Sequence, residues 1–113
     1  MEPATILIVE DNTVIRKALE SILKKYGYNV IIAVDGQEAL NIVSGQVPDL
    51  IISDIMMPNL NGYEFYKLIR DMPDLGIVPF IFLTALDAEK EVRQAKELGV
   101  DDYLTKPFTK EDL

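Results

Sequence analysis

Five short apolar runs rich in β-branched residues recur along the chain and constrain its fold more than any other feature. They are Thr5–Val9, Asn29–Val34, Leu50–Ser53, Val78–Leu83 and Asp102–Thr105. Most are continuously apolar, a pattern typical of strands that are covered on both faces. Segments of helical period separate the runs. This alternation predicts β-α-β units, a parallel sheet and helices on both sides of it.

The first and third helical segments show the clearest apolar stripes. The stripe of the first comprises Ile15, Ala18, Leu19, Ile22, Leu23 and Tyr26. Asp11 or Asn12 can cap its start, and Gly27 is well placed to end it. The third segment begins near Gly62 and stops at Pro73. Its predicted inward residues are Phe65, Leu68, Ile69 and Met72.

Two further helices are predicted from Gly36 to Ser44 and from Asp87 to Leu98. Near the end of the chain, Thr109 followed by Asp112 has the spacing of a capped helix start. We expect this fifth helix to be truncated here and the natural protein to be longer. No linker or repeat interrupts the sequence, so we predict a single domain over residues 1–113.

The composition excludes several kinds of chemistry and of partner. The chain has no cysteine and no histidine, which excludes a disulfide framework, a zinc–thiolate site and a serine–histidine catalytic pair. The net charge of -8 repels a phosphate backbone, so we do not expect this segment to bind nucleic acid directly. The apolar stretches are too short to span a membrane, and no signal peptide is visible. We therefore expect a cytoplasmic protein.

Polar residues follow four of the predicted strands, at the sheet edge where ligands bind in open parallel sheets. They are Glu10, Asp11, Asp54, Thr84 and Lys106. Each has a simpler interpretation alone, as a helix cap, a turn residue or a solvated side chain, but their shared edge favours a functional site. Two unit charges about 4 Å apart repel by about 4 kcal/mol at an effective dielectric constant near 20. Such a pocket needs a cation, or one carboxyl must stay protonated.

Oxygen ligands in a partly open site favour Mg²⁺, which keeps several waters and leaves room for a phosphoryl group. Mg²⁺, the Lys106 ammonium and the Thr84 hydroxyl would neutralise the charge of a transferring phosphoryl group. Asp54 is the predicted nucleophile, because a carboxylate can form an aspartyl phosphate without a general base.

Four motifs resemble the receiver domain of two-component response regulators. They are Glu10-Asp11, Asp54-Ile-Met-Met-Pro58-Asn-Leu-Asn-Gly62, Thr84-Ala85, and Gly99-Val-Asp-Asp-Tyr103-Leu-Thr-Lys106-Pro107-Phe108. The resemblance extends from about Thr5 to the last residue, in the family's order and spacing. It implies a flavodoxin-like, doubly wound sheet of five parallel strands in the order 2-1-3-4-5. That order would place Asp11 and Asp54 side by side.

The resemblance also implies roles for individual residues in the site. Asp54 would accept a phosphoryl group from a phosphohistidine on a sensor histidine kinase or a histidine phosphotransfer protein. Asp11, Asp54 and the backbone carbonyl of Met56 would hold Mg²⁺, with Glu10 acting mostly through water. Lys106 would contact the acceptor and then a phosphoryl oxygen.

A second implied role is that of a conformational switch. Thr84 would move inward to bond the phosphoryl group, and Tyr103 would follow from an outward to an inward rotamer. The surface formed by the fourth helix, the fifth strand and the fifth helix would change, and a homodimer through this region is one candidate assembly. Such a protein is not an enzyme in the usual sense, since it catalyses only its own phosphorylation and dephosphorylation.

Two alternatives are open at this stage. A degenerate receiver would act as a phosphorylation-independent protein-binding module, but such modules typically lack an acidic residue or the lysine, and this sequence lacks neither. A flavin- or nucleotide-binding domain of similar topology would need a phosphate-cradling loop. The first loop here is Glu10-Asp11-Asn12, which repels phosphate unless a metal intervenes.

Overall fold

The computed structural model describes residues 3–55, 60, 62–85 and 102–106, with the backbone alone at 84–85 and 102–106. Its elements are β1 (Thr5–Val9), α1 (Thr13–Lys25), β2 (Asn29–Ala33), α2 (Gly36–Val43), β3 (Leu50–Asp54), α3 (Gly62–Arg70), β4 (Phe80–Ala85) and β5 (Asp102–Lys106). The strands form a parallel sheet in the order β2-β1-β3-β4-β5. This order confirms the predicted flavodoxin-like topology. The predicted fourth helix and residues 107–113 lie outside the described residues.

Successive side chains along each strand point to opposite faces of the sheet. They fill two separate hydrophobic cores, one on each face. On one face, Leu7 and Val9 of β1 belong to a large cluster covered by α2 and α3. On the other, Ile6 and Ile8 belong to a smaller cluster that includes Leu19 of α1. Because both faces are buried, the strand sequences are apolar at consecutive positions. None of the helices in the described part of the chain has the length and apolar content needed to cross a bilayer.

Helix α1 begins and ends at residues suited to those positions. The Asn12 side chain caps the start, with its Oδ1 accepting a hydrogen bond of 3.0 Å from the Ile15 amide. Gly27 has a φ of 90°, which lets the chain turn out of the helix without steric strain. The buried stripe is narrower than predicted, because Ala18 is exposed and Tyr26, which follows the helix, is 61% exposed.

Helix α3 buries a different set of side chains from the predicted one. Leu68 is 42% exposed, whereas Tyr66 is 5% exposed, so the prediction that Leu68 faces inward was wrong. The Tyr66 ring packs edge-on against Phe80, with centroids 5.0 Å apart. Its hydroxyl accepts a hydrogen bond of 3.1 Å from Nε of Arg70. A buried tyrosine is stable when its hydroxyl has such a partner.

Strand β4 begins two residues later than predicted, at Phe80 and not at Val78. Pro79 has no amide hydrogen to donate to a neighbouring strand, although its carbonyl accepts from the Ile51 amide at 3.0 Å. Val78 belongs to the preceding turn, in which its amide donates to the Leu75 carbonyl at 3.2 Å. The apolar character of Val78 reflects burial in the core and not membership of the strand.

The exposure difference along α3 can be tested by a matched pair of truncations. Phe65 is fully buried, so Phe65→Ala should lower the free energy of unfolding by about 3–5 kcal/mol. Leu68→Ala, on the same helix, should lower it by about 1 kcal/mol or less. Urea denaturation of both variants measures the difference. Equal losses would contradict the packing described for α3.

Candidate functional site

Three carboxylates from two neighbouring strand ends lie together at the carboxyl edge of the sheet. Glu10 and Asp11 directly follow β1, and Asp54 is the last residue of β3. One carboxylate oxygen from each residue lies within 4.8 Å of those of the other two. Glu10 is fully buried and Asp54 is 6% exposed, whereas Asp11 is exposed. The result is a negative pocket with two buried carboxylates and one at its rim.

The pairing of β1 with β3 explains why these residues meet. Val9 pairs with Ser53 across the two parallel strands, so Glu10 and Asp54, one residue further along each strand, lie at the same level. The amide of Glu10 also donates to the Ala33 carbonyl at the end of β2, at 3.1 Å. The hydrogen bond to β2 holds the main chain of Glu10 on one side, and the pairing of Val9 with Ser53 fixes the preceding residue on the other.

Hydrogen bonds shape the segment between β1 and α1. The Asn12 amide donates to Oε1 of Glu10 at 3.2 Å, which orients that buried carboxylate. Nη1 of Arg16 donates to the Glu10 carbonyl at 3.0 Å. Arg16 was not among the site residues predicted from the sequence. Its position in the first turns of α1 was the available signal, because long side chains on a helix point back toward its N-terminus.

Close backbone contacts surround the other side of Asp54. Oγ of the buried Ser53 donates to the Asp54 carbonyl at 3.0 Å. The Gly62 amide donates to the Ile55 carbonyl at 2.8 Å. A Cβ at Gly62 would collide with the Asp54 carbonyl oxygen and lie 2.8 Å from Cα of Ile55. The first residue of α3 therefore approaches the backbone of Asp54 and Ile55 this closely only because residue 62 has no side chain.

The other predicted site residues can be placed by strand register alone. Asp54 pairs with Leu83, so Thr84 is one residue beyond the level of Asp54 on the neighbouring strand. Thr84 pairs with Thr105, and Ala85 pairs with Lys106 on β5. Thr84 and Lys106 are therefore at the same edge of the sheet as the carboxylates.

The side chains of these residues are not described. Tyr103 lies on β5 opposite Phe82, and its side chain, like those of Thr84 and Lys106, falls outside the described residues. Met56, a predicted metal ligand, lies entirely outside them. The roles assigned to these four residues stay predictions.

The donor set of the pocket fits a hard divalent cation. It offers carboxylate oxygens, the ligands that Mg²⁺ and Ca²⁺ prefer. The exposed Asp11 leaves the site open to solvent on one side, which suits an ion that keeps part of its water shell. Like charges confined this closely repel each other, and a bound cation would remove the repulsion.

The chain matches a known family over nearly its whole length. The model of the response regulator receiver domain matches residues 6–113. The chain belongs to this family. As a response regulator receiver domain, it has the fold and the acidic cluster that the motifs indicated. The match gives no support to the flavin- or nucleotide-binding alternative.

Individual relatives agree with this assignment. A protein named as a transcriptional regulator, ycf27 of Guillardia theta, is 47% identical over 108 residues, covering 96% of this chain and 41% of the relative. The receiver domain thus spans less than half the length of that protein. Among solved structures, the chemotaxis response regulator CheY4 of Vibrio cholerae superposes with a TM-score of 0.90 at 34% identity, covering 97% of this chain and 92% of CheY4.

A third similar structure carries a metal in its site. The receiver domain of the sensor histidine kinase PA1611 from Pseudomonas aeruginosa PAO1 superposes with a TM-score of 0.88 at 36% identity. The match covers 96% of this chain and 89% of the other. That structure contains a magnesium ion coordinated in the active site cleft.

The contact of Gly62 with the Asp54 backbone predicts an effect of adding one methyl group. Gly62→Ala should displace the Asp54 backbone and lower the free energy of unfolding by about 1–3 kcal/mol, because the site is already filled. Gly45→Ala is the matched control, since its Cβ would meet nothing nearer than the Ile42 carbonyl at 4.0 Å. Urea denaturation and the amide NMR signal of Asp54 report the two effects. A Gly62→Ala protein as stable as Gly45→Ala, with an unshifted Asp54 signal, would contradict this account.

Proposed function

We propose that this receiver domain is a phosphorylation-dependent switch that accepts a phosphoryl group on Asp54 in a Mg²⁺-dependent reaction. The observation that carries the proposal is the meeting of Glu10, Asp11 and Asp54 within 4.8 Å at the carboxyl edge of the sheet. Asp54 is the carboxylate of the cluster that ends a central strand, and Gly62 at the start of α3 packs closely against its backbone. Membership of the receiver family supports the same acceptor.

Asp11, Asp54 and the Met56 carbonyl would hold Mg²⁺, with Glu10 acting mostly through water. Bound Mg²⁺ supplies positive charge that offsets the carboxylates and the phosphoryl oxygens. The buried Glu10 is held by the hydrogen bond of its own amide and by the bond from the Asn12 amide to its carboxylate. These bonds suit a residue that would contact the metal through water and not directly. The magnesium ion in the PA1611 receiver domain supports this choice of metal.

The proposed transfer needs no general base. A carboxylate oxygen of Asp54 attacks the phosphorus of a phosphohistidine, an oxygen–phosphorus bond forms, and the phosphorus–nitrogen bond breaks. The imidazole nitrogen leaves with the electron pair of that bond. The Lys106 ammonium and the Thr84 hydroxyl would bond the phosphoryl oxygens. In dephosphorylation, a water attacks the phosphorus and releases inorganic phosphate, which regenerates the Asp54 carboxylate.

The phosphoryl donor would be a sensor histidine kinase or a histidine phosphotransfer protein in the cytoplasm. Phosphorylation would draw Thr84 toward Asp54 and Tyr103 inward, which shifts a pre-existing equilibrium between two conformations. The change would alter the surface of β5 and the predicted helices on either side of it. A homodimer through that surface is one way in which the signal would be transmitted.

Phosphorylation by a small-molecule donor tests the proposal. Acetyl phosphate and Mg²⁺ should add one phosphoryl group to the protein, detected by intact-mass spectrometry. Asp54→Asn should abolish the adduct because it removes the nucleophile, whereas Asp74→Asn, at an exposed position on the α3–β4 loop, should not affect it. Chelation of Mg²⁺ should lower the initial rate of adduct formation at least tenfold if the metal stabilises the transition state by more than about 1.4 kcal/mol.

Two further variants separate accepting the phosphoryl group from responding to it. Thr84→Ala should still be phosphorylated but show smaller phosphorylation-induced NMR shifts along β5. Lys106→Ala should retain Mg²⁺ binding and lose those shifts. A folded wild-type protein that takes up neither Mg²⁺ nor a phosphoryl group would instead be a phosphorylation-independent binding module.

A further inference from the structure

We infer that Arg16 is a positioning residue for the metal site, acting through the main chain of Glu10 and Asp11. The inference rests on the proposed function, since it concerns the same acidic cluster. Nη1 of Arg16 donates to the carbonyl of Glu10 at 3.0 Å and to that of Asp11 at 3.4 Å. One guanidinium therefore contacts both consecutive residues that bring carboxylates from the end of β1 into the pocket.

A third contact fixes the guanidinium itself. Nη2 of Arg16 lies 3.4 Å from Oγ1 of Thr13, the first residue of α1. The Arg16 amide also donates to the Asn12 carbonyl at 2.9 Å. The backbone of Arg16 thus belongs to the start of the helix, while its side chain is hydrogen-bonded to the segment that precedes the helix. A planar guanidinium with several donors can do this, whereas a single ammonium can bond fewer carbonyls at once.

Asp11 depends on this contact more than Glu10 does. Glu10 is fully buried, and its amide is bonded to the Ala33 carbonyl. Asp11 is exposed, so packing does not hold it. Among the hydrogen bonds of the described residues, the one from Arg16 is the bond that reaches the main chain of Asp11. The main chain that carries the rim carboxylate is therefore held largely from α1.

The charge of Arg16 and its hydrogen bonds have opposite expected effects on a bound cation. A positive guanidinium near the pocket repels a divalent cation, so removing the charge alone would strengthen Mg²⁺ binding. The hydrogen bonds hold the backbone of two carboxylate residues in place, so removing them would weaken binding. The described contacts of Arg16 go to carbonyl and hydroxyl oxygens, which points to the second effect as the larger.

Calorimetric titration with MgCl₂ at constant ionic strength distinguishes the two effects by their sign. Arg16→Ala should raise the Kd for Mg²⁺ about tenfold, the lower end of what is lost when groups that orient metal ligands are removed. Lys17→Ala removes the same charge from the next, exposed residue and should leave the Kd unchanged or slightly lower. Arg16→Lys, which keeps the charge, should recover part of the affinity. An Arg16→Ala protein that binds Mg²⁺ as tightly as Lys17→Ala, or more tightly, would overturn the inference.

A metal-free measurement separates failure of this inference from failure of the proposed function. In the absence of Mg²⁺, the amide NMR signals of Asp11 and Asn12 should shift in Arg16→Ala and stay in place in Lys17→Ala, while those of the cores remain unchanged. Unshifted signals would refute the positioning role even if the wild type binds Mg²⁺. A wild type that binds no Mg²⁺ would refute the proposed metal site. In that case the amide shifts of Asp11 and Asn12 would still show whether Arg16 positions this segment.

Discussion

The confinement of three like charges at the ends of two adjacent strands is the constraint on which the rest of the site depends. Parallel pairing of Val9 with Ser53 brings Glu10 and Asp54 to the same level, and burial removes both from most of the solvent. Two unit charges at such separations repel by about 3–4 kcal/mol at an effective dielectric constant near 20. The apolar cores on both faces of the sheet hold the strands in register against that repulsion. A folded domain with this pocket is therefore prepared to bind a divalent cation.

The site is built mainly from backbone contacts around the carboxylates. The Glu10 amide is bonded to the end of β2, and the Asp54 carbonyl accepts from Ser53. The absence of a side chain at Gly62 lets the start of α3 lie against the Asp54 backbone. Helix α1 adds Asn12 and Arg16 from the other side. Because these contacts fix the main chain on both sides of the pocket, they also limit how far apart the carboxylate oxygens can move.

Much of this arrangement could be predicted from the sequence because it follows from strand period and strand ends. Continuous apolar runs indicated buried parallel strands, and residues directly after those strands had to share one edge. Side-chain pairing across elements could not be predicted in the same way. Leu68 is more apolar than Tyr66, yet Tyr66 is the buried residue: its ring packs against Phe80, and Arg70 supplies a hydrogen-bond partner for its hydroxyl. Arg16 was missed for a related reason, since its partners are carbonyl groups, which every residue has.

The dependence of stability on Mg²⁺ tests the central claim most directly. A ligand that binds only the folded state raises the free energy of unfolding by about 2.7 kcal/mol at a concentration one hundred times its Kd. Urea denaturation in increasing MgCl₂, with NaCl adjusted to keep the ionic strength constant, should show this rise for the wild type and a much smaller one for Asp54→Asn. Stability that does not change with Mg²⁺, or that rises equally in both proteins, would contradict the account.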